Sequence, residues 1–196
     1  MQDLFRRLFT AAPVLLLALS ACNTPPDRQE FPEITFEHLA PFKLDVARVN
    51  IVQAYQPDPA HDIDGQFPEA PAKVAAQWAQ DRLQAAGSEG EAIYTVVLAK
   101  AIDTNLRRSQ GVAAVTHKDQ SDRYDLAITA TLEVTNDGGR KSGNVTARTA
   151  RSQTVSEDMT LNQREAVLFK LLDATMKDIN AQFQKLIPQY LGGFVR

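Results

Sequence analysis

The stretch Tyr124-Asp125-Leu126-Ala127-Ile128-Thr129-Ala130-Thr131-Leu132-Glu133-Val134 decides the fold class. Tyr124, Leu126, Ile128, Leu132 and Val134 occupy alternate positions against Asp125, Thr129, Thr131 and Glu133. Successive side chains of a strand point to opposite faces, so this is a strand with one face buried and one wet. A sheet with one wet face leaves a single face to receive helices. Downstream, Asp137-Gly138-Gly139 has the residues of a hairpin turn, and Asn144 to Val155, rich in Thr, Ala and Arg, reads as the returning strand. Upstream, Ile93 to Ile102 is apolar at both parities, with Ile93, Val97 and Ala99 against Tyr94, Val96 and Leu98. That predicts a central strand, covered on both faces or covered once and paired inside the sheet.

Further upstream, Phe42 to Tyr55 alternates and then changes phase: Phe42, Leu44 and Val46 give way to Val49 and Ile51. A one-residue slip turns every side chain to the other face, which predicts one strand with a bulge near Ala47-Arg48. Pro71 suits the first turn of a helix and Gly87 its C-terminal cap, with Val74, Ala75, Trp78, Leu83 and Ala86 as the apolar stripe between them. Val167, Leu168, Leu171, Leu172, Ile179, Phe183, Leu186 and Ile187 repeat at three- and four-residue steps and predict a long final helix. Thr160-x-x-Gln163 or Asn162-x-x-Glu165 would cap its start, and Pro188 would stop or kink it. The order β-α-β-β-β-α, with three consecutive strands, predicts an α+β fold: a four-stranded, mainly antiparallel sheet carrying both helices on one face.

The chain of 196 residues is 44% hydrophobic and 23% charged, which suits one globular domain and excludes a disordered chain. With 21 basic against 24 acidic residues it has no cationic excess to displace phosphate counterions, so nucleic acid is not an expected partner. One cysteine and three histidines exclude a disulfide framework and a zinc finger.

The lone cysteine gives the chain an address. Arg6 and Arg7 precede an apolar run, Leu8 to Leu19, which is interrupted only by Thr10 and is too short for the ~20 residues of a membrane span. It ends in Leu19-Ser20-Ala21-Cys22, which resembles the bacterial lipobox, where the signal peptide is cut before the cysteine and the thiol receives a diacylglyceryl group. The resemblance implies a signal peptide over residues 1–21, a mature chain starting at Cys22, and acylation of Cys22 by diacylglycerol and palmitate-type chains. Two or more chains make a stable anchor. Asn23, in place of the aspartate that favours inner-membrane retention in enteric bacteria, points to the outer membrane.

Residues 22–41 read as a lipidated N-terminus and tether, with Pro25, Pro26, Pro32 and Pro41 opposing helix and sheet. Phe31, Ile34, Phe36 and Leu39 predict that its second half docks on the periplasmic domain, residues 42–196. Behind a lipobox, this element order resembles small Gram-negative envelope lipoproteins: the lipopolysaccharide-assembly lipoprotein and the auxiliary lipoproteins of lipid-transporting ABC systems. Pro71-x6-Trp78-x2-Asp81-Arg82-Leu83-x3-Gly87 resembles uncharacterised proteobacterial lipoproteins. The resemblance implies a non-catalytic accessory or binding subunit of an envelope assembly or lipid-transport system, with a protein partner in the cell envelope. A structural or peptidoglycan-associated lipoprotein and a periplasmic enzyme are the alternatives.

The residues nominate little chemistry. Acylation would consume the Cys22 thiol, and G-x-S-x-G, H-E-x-x-H, P-loop and dinucleotide fingerprints are missing. His38, His61 and His117 are far apart, so no catalytic residue, metal site or cofactor is expected. Asp58-x2-His61-Asp62-x-Asp64-Gly65 is a calcium-type oxygen cluster without EF-hand spacing, and reads as a solvated acidic loop. Trp78 lies on the apolar stripe and reads as core. Tyr190, Leu191 and Phe194 either cap the core or await a partner. In an antiparallel meander Arg107, Arg108, Arg123, Arg148 and Arg151 would gather at one sheet end and form a contact for an anionic partner, unless neighbouring carboxylates pair with them.

Overall fold

Alternation and helical spacing place the apolar side chains of this chain on one side of a sheet. The computed structural model describes residues 29–106 and 122–196. Its elements are β1 (Phe42–Leu44), β2 (Arg48–Gln53), α1 (Pro71–Arg82), β3 (Leu83–Ala85), β4 (Glu91–Asn105), β5 (Asp122–Asn136), β6 (Lys141–Val155) and α2 (Leu161–Leu191). The main sheet has the order β2-β4-β5-β6. Its β4-β5 and β5-β6 pairs are antiparallel, while β2 runs parallel to β4, so the sheet is mixed and the fold α+β. β1 and β3 form a separate parallel pair.

Alternate residues of β5 are buried from Tyr124 to Val134, joined by Ala92, Tyr94, Val96, Ala99 and Ala101 of β4. Both helices cover this one face. The ring of Trp78 on α1 lies 5.5 Å from Tyr94 on β4 and 4.5 Å from Phe183 on α2, and those two rings are 5.8 Å apart. One aromatic cluster is therefore shared by two helices and the sheet. Among the described residues no helix covers the opposite face, and Val97 is 46% exposed at a bulge between Val96 and Leu98. β4 is thus covered once and paired internally.

The expected bulge near Ala47-Arg48 is instead a break between two strands in two sheets. Leu44 and Val46 are both fully buried, so the chain needs a bend between them, and Val46 N–H closes it on Leu44 O at 2.8 Å. Helix α1 ends at Arg82, not at Gly87. Leu83 turns extended (φ −110°, ψ 124°), and Leu83–Ala85 pairs with Phe42–Leu44. Tertiary strand pairing has overridden the helical spacing of Leu83 and Ala86. Gly87 serves close approach: its N–H bonds Val46 O at 2.9 Å, and a Cβ there would lie 2.6 Å from Val46 N.

At α2 the Thr160/Gln163 box forms, with Thr160 Oγ1 accepting from Gln163 N–H and Gln163 Oε1 accepting from Thr160 N–H. Pro188 neither stops nor breaks the helix, which continues to Leu191. So near the C-terminal end a proline costs a single backbone hydrogen bond, and fully buried Ile187 and Leu191 hold the last turn to the core. Phe194 packs against the core and Val195 bridges Leu44, whereas Tyr190 is 61% exposed.

Candidate functional site

The N-terminal segment straps the helical layer. Ile34 and Phe36 are buried, and the Phe31 ring stacks on Phe169 of α2 at 5.0 Å. Ile34 N–H donates to Glu69 Oε1 at 3.2 Å, while Phe36 N–H and the Thr35 hydroxyl both donate to Asp81 Oδ2, at 2.6 and 2.9 Å. Arg82 follows. It is 3% exposed, donates from Nη1 to Ala40 O, and holds its guanidinium 4.7 Å from the centre of the Phe42 ring. Burial lowers its pKa, and the cation–π contact offsets part of that desolvation. Cys22 lies outside the described residues.

Of the five arginines, Arg107 and Arg108 also lie outside the described residues, and the other three do not come together. Arg123 pairs through Nε with Asp125 Oδ2 at 2.9 Å. Arg148 sits opposite Thr129, six residues along β5 from Arg123, roughly 20 Å at ~3.4 Å per residue. Arg151 is an odd number of residues from Arg148 and so projects to the helix side, where it grips Asp178 through Nε (2.6 Å) and Nη2 (3.0 Å). This fork holds the Asp178 carboxyl below the usual carboxylate range and raises the guanidinium. Among the described residues Arg148 alone of the three has no ion pair.

The acidic loop is knitted to itself. His61 Nδ1 lies 2.7 Å from Asp58 Oδ2, and the Tyr55 hydroxyl donates to Asp62. The His61 hydrogen bond lowers the Asp58 pKa; desolvation, with Asp62 adding to it, raises that of Tyr55. No group of three metal-ligating side chains stands together among the described residues. No helix among them is long and apolar enough to cross a membrane.

The concave feature with the most chemistry runs between β6 and α2. A cleft of about 470 Å³ is lined by Arg151, Ser152 and Gln153 on the strand and by Val167, Lys170, Leu171 and Ala174 on the helix. Its floor is aliphatic and Lys170 stands at its rim, exposed and without an ion pair among the described residues. One turn beyond Asp178, Gln182 closes the outer edge of β6: its Oε1 accepts from Arg148 N–H at 3.0 Å and its Nε2 donates to Arg148 O at 2.7 Å. The sequence reading missed Lys170, Asp178 and Gln182. Their signal was the four-residue step Lys170-Ala174-Asp178-Gln182, which puts all four on one flank of a helix.

No protein-family model matches the chain, and no curated protein matches it. Among solved structures it is similar to a minor lipoprotein from Acinetobacter baumannii, at 16% identity and a TM-score of 0.32, over 74% of this chain and 92% of that one. It is also similar to a point variant of the PelC dodecamer from Paraburkholderia phytofirmans, at 13% identity and a TM-score of 0.26, over 71% of this chain and 91% of that one. At these TM-scores neither likeness bears on partner or chemistry.

Proposed function

We propose that this chain is a membrane-anchored periplasmic lipoprotein, tethered through acylated Cys22 with the outer membrane preferred, and a non-catalytic accessory or binding subunit of an envelope assembly or lipid-transport system. The observation that carries this reading is Leu19-Ser20-Ala21-Cys22 at the end of an apolar run too short to span a bilayer. The docked strap supports it. Eight residues lie between Cys22 and Phe31, so the anchor reaches roughly 30 Å beyond the domain at ~3.1 Å per residue. Such a tether keeps the helical layer beside the bilayer. Arg148, without an ion pair among the described residues, is the member of the predicted arginine set that we assign to contact with an anionic partner.

Metabolic labelling with palmitate tests the anchor. The parent chain should incorporate label and Cys22→Ser should not, whereas a labelled Cys22→Ser variant would refute the assignment. Co-purification from detergent-solubilised membranes then tests the accessory role: a stoichiometric envelope protein is the expected result, and catalytic turnover by the isolated chain would overturn it.

A further inference from the structure

We infer that the outer edge of β6, from Ala150 to Thr154, is a docking site for an extended acidic peptide segment of a partner protein, added as a fifth strand against the flank of α2. The inference rests on the reading of the chain as a binding subunit, and not on its lipid anchor. β5 and β6 pair without a register shift from Asp122↔Val155 to Asn136↔Lys141. In an antiparallel ladder alternate residues turn both backbone groups to one side. Arg148 turns its N–H and C=O outward to Gln182, so Ala150, Ser152 and Thr154 do the same. The Gln153 side chain donates to Thr154 O. The N–H and C=O of Ala150 and Ser152 and the N–H of Thr154 have no partner among the described residues. Unpaired groups in a row are a template for another strand.

Three further features select the occupant. Gln182 occupies the rung at Arg148 as one residue of a partner strand would, and so ends the free edge on its hairpin side. An added strand would send alternate side chains toward Val167, Leu171 and Ala174, the aliphatic side of the cleft. Its remaining side chains would share the face opposite the helices with Arg148, while Lys170 stands at the cleft rim. Both cations are free of ion pairs among the described residues, so carboxylates complement this edge. A second copy pairing β6 with β6 would instead add its own Arg148 and Lys170 to this edge, like charges where complementarity asks for carboxylates.

The test uses the full chain in detergent and an acetylated, amidated peptide alternating Glu and Val over seven residues. Binding is read by fluorescence anisotropy, and site by amide hydrogen exchange. Saturable binding that weakens with salt is expected, with slowed exchange at Ala150, Ser152 and Thr154. A Lys/Val peptide should not bind. Ala150→Pro removes one outward donor at an edge position that tolerates proline, and should weaken binding about tenfold or more while the melting temperature holds. Lys170→Glu, on the helix and away from the backbone ladder, should weaken it as well. Equal binding of both peptides, protection confined to β2, or unchanged affinity in both variants would overturn the proposal. Concentration-dependent dimerisation that protects Ala150 and Ser152 without peptide would assign the edge to a second copy and overturn it too. Because palmitate labelling reads the anchor alone, the two readings fail separately.

Discussion

Trp78 Nε1 donates to Asn180 Oδ1 at 3.0 Å, joining α1 to α2 across 102 positions of sequence. Trp78 is fully buried and Asn180 is 9% exposed, and the rings of Tyr94 and Phe183 close the Trp78 side of the pair. A buried indole N–H without an acceptor carries its full desolvation penalty, so Asn180→Ala should cost about 1 to 3 kcal/mol, read from urea unfolding midpoints. Trp78→Phe combined with Asn180→Leu should cost less than the sum of the single changes, because both polar partners leave together. Additive costs would mean that the bond contributes nothing beyond packing.

Tyr94 presents the opposite case. Its hydroxyl is buried in the same cluster with no partner among the described residues, and burial pushes its pKa upward. Tyr94→Phe removes an unsatisfied oxygen and keeps the ring, so stability should rise by about 1 kcal/mol. A fall of that size, in the same urea titration, would show that the hydroxyl is satisfied in solution.

What the sequence made legible, and what it did not, follows from the range of the interactions involved. β5 was readable because its alternation is local and its two faces differ, and the start of α2 because the Thr160/Gln163 box lies within four residues. The break at Asp45–Ala47 was not, since only contact with β3, forty residues away, shows that Phe42–Leu44 belongs to another sheet. The same pairing took Leu83–Ala85 from the helix. Pro188 misled because a proline's cost depends on where the helix ends, which buried Leu191 decides. The β6 edge is a property of backbone groups and leaves no side-chain pattern. The separation of Arg148 from Arg151 was legible in principle, since residues three apart on a strand face opposite ways.

Two glycines with positive φ separate steric from conformational cost. Gly138 (φ +63°) has open space where a Cβ would stand, so Gly138→Ala should cost about 1 to 2 kcal/mol for the left-handed backbone alone. Gly90 (φ +83°) would drive its Cβ into the carbonyl oxygen of Thr135 and to 2.8 Å from Asn136 Cα, both backbone. Gly90→Ala should therefore destabilise clearly more than Gly138→Ala, with a lower melting temperature in parallel scans. Equal losses would mean that the β4 start shifts freely relative to the end of β5.

The Arg151–Asp178 pair predicts a pH signature. Asp178 has a lowered pKa in the folded chain, chiefly through the hydrogen bond from Arg151. Its contribution is complete above the ordinary aspartate value and is lost as pH falls through the lowered folded value. Asp178→Asn should lower the melting temperature slightly at neutral pH and converge on the parent as pH falls, so that its acid limb is the flatter of the two. Both side chains are well exposed, at 45% and 38%, so the difference should be small and shrink with added salt. An acid limb identical in both proteins would show that the pair does not form in solution.

The strap supplies the last prediction. Few backbone bonds hold residues 31–39; one is the turn from Leu39 N–H to Phe36 O at 3.0 Å. Asp81 does more than any other side chain, accepting from Phe36 N–H and Thr35 while Gln77 holds its second oxygen at 2.7 Å. Hydrogen bonds to a charged acceptor contribute about 1.5 to 3 kcal/mol, and buried Ile34 and Phe36 add apolar contact. Asp81→Ala should therefore raise the population of the detached strap by roughly tenfold or more, since 1.4 kcal/mol is a factor of ten. The helical core, held by Trp78, Phe183 and their neighbours, should unfold at nearly the parent midpoint. Chymotrypsin under native conditions measures the difference, because cleavage after Phe36 follows the open population when closing is fast. A parental cleavage rate in Asp81→Ala would mean that Ile34 and Phe36 hold the strap by burial alone, and Ile34→Ser, which keeps the Phe36 cleavage site, should then release it.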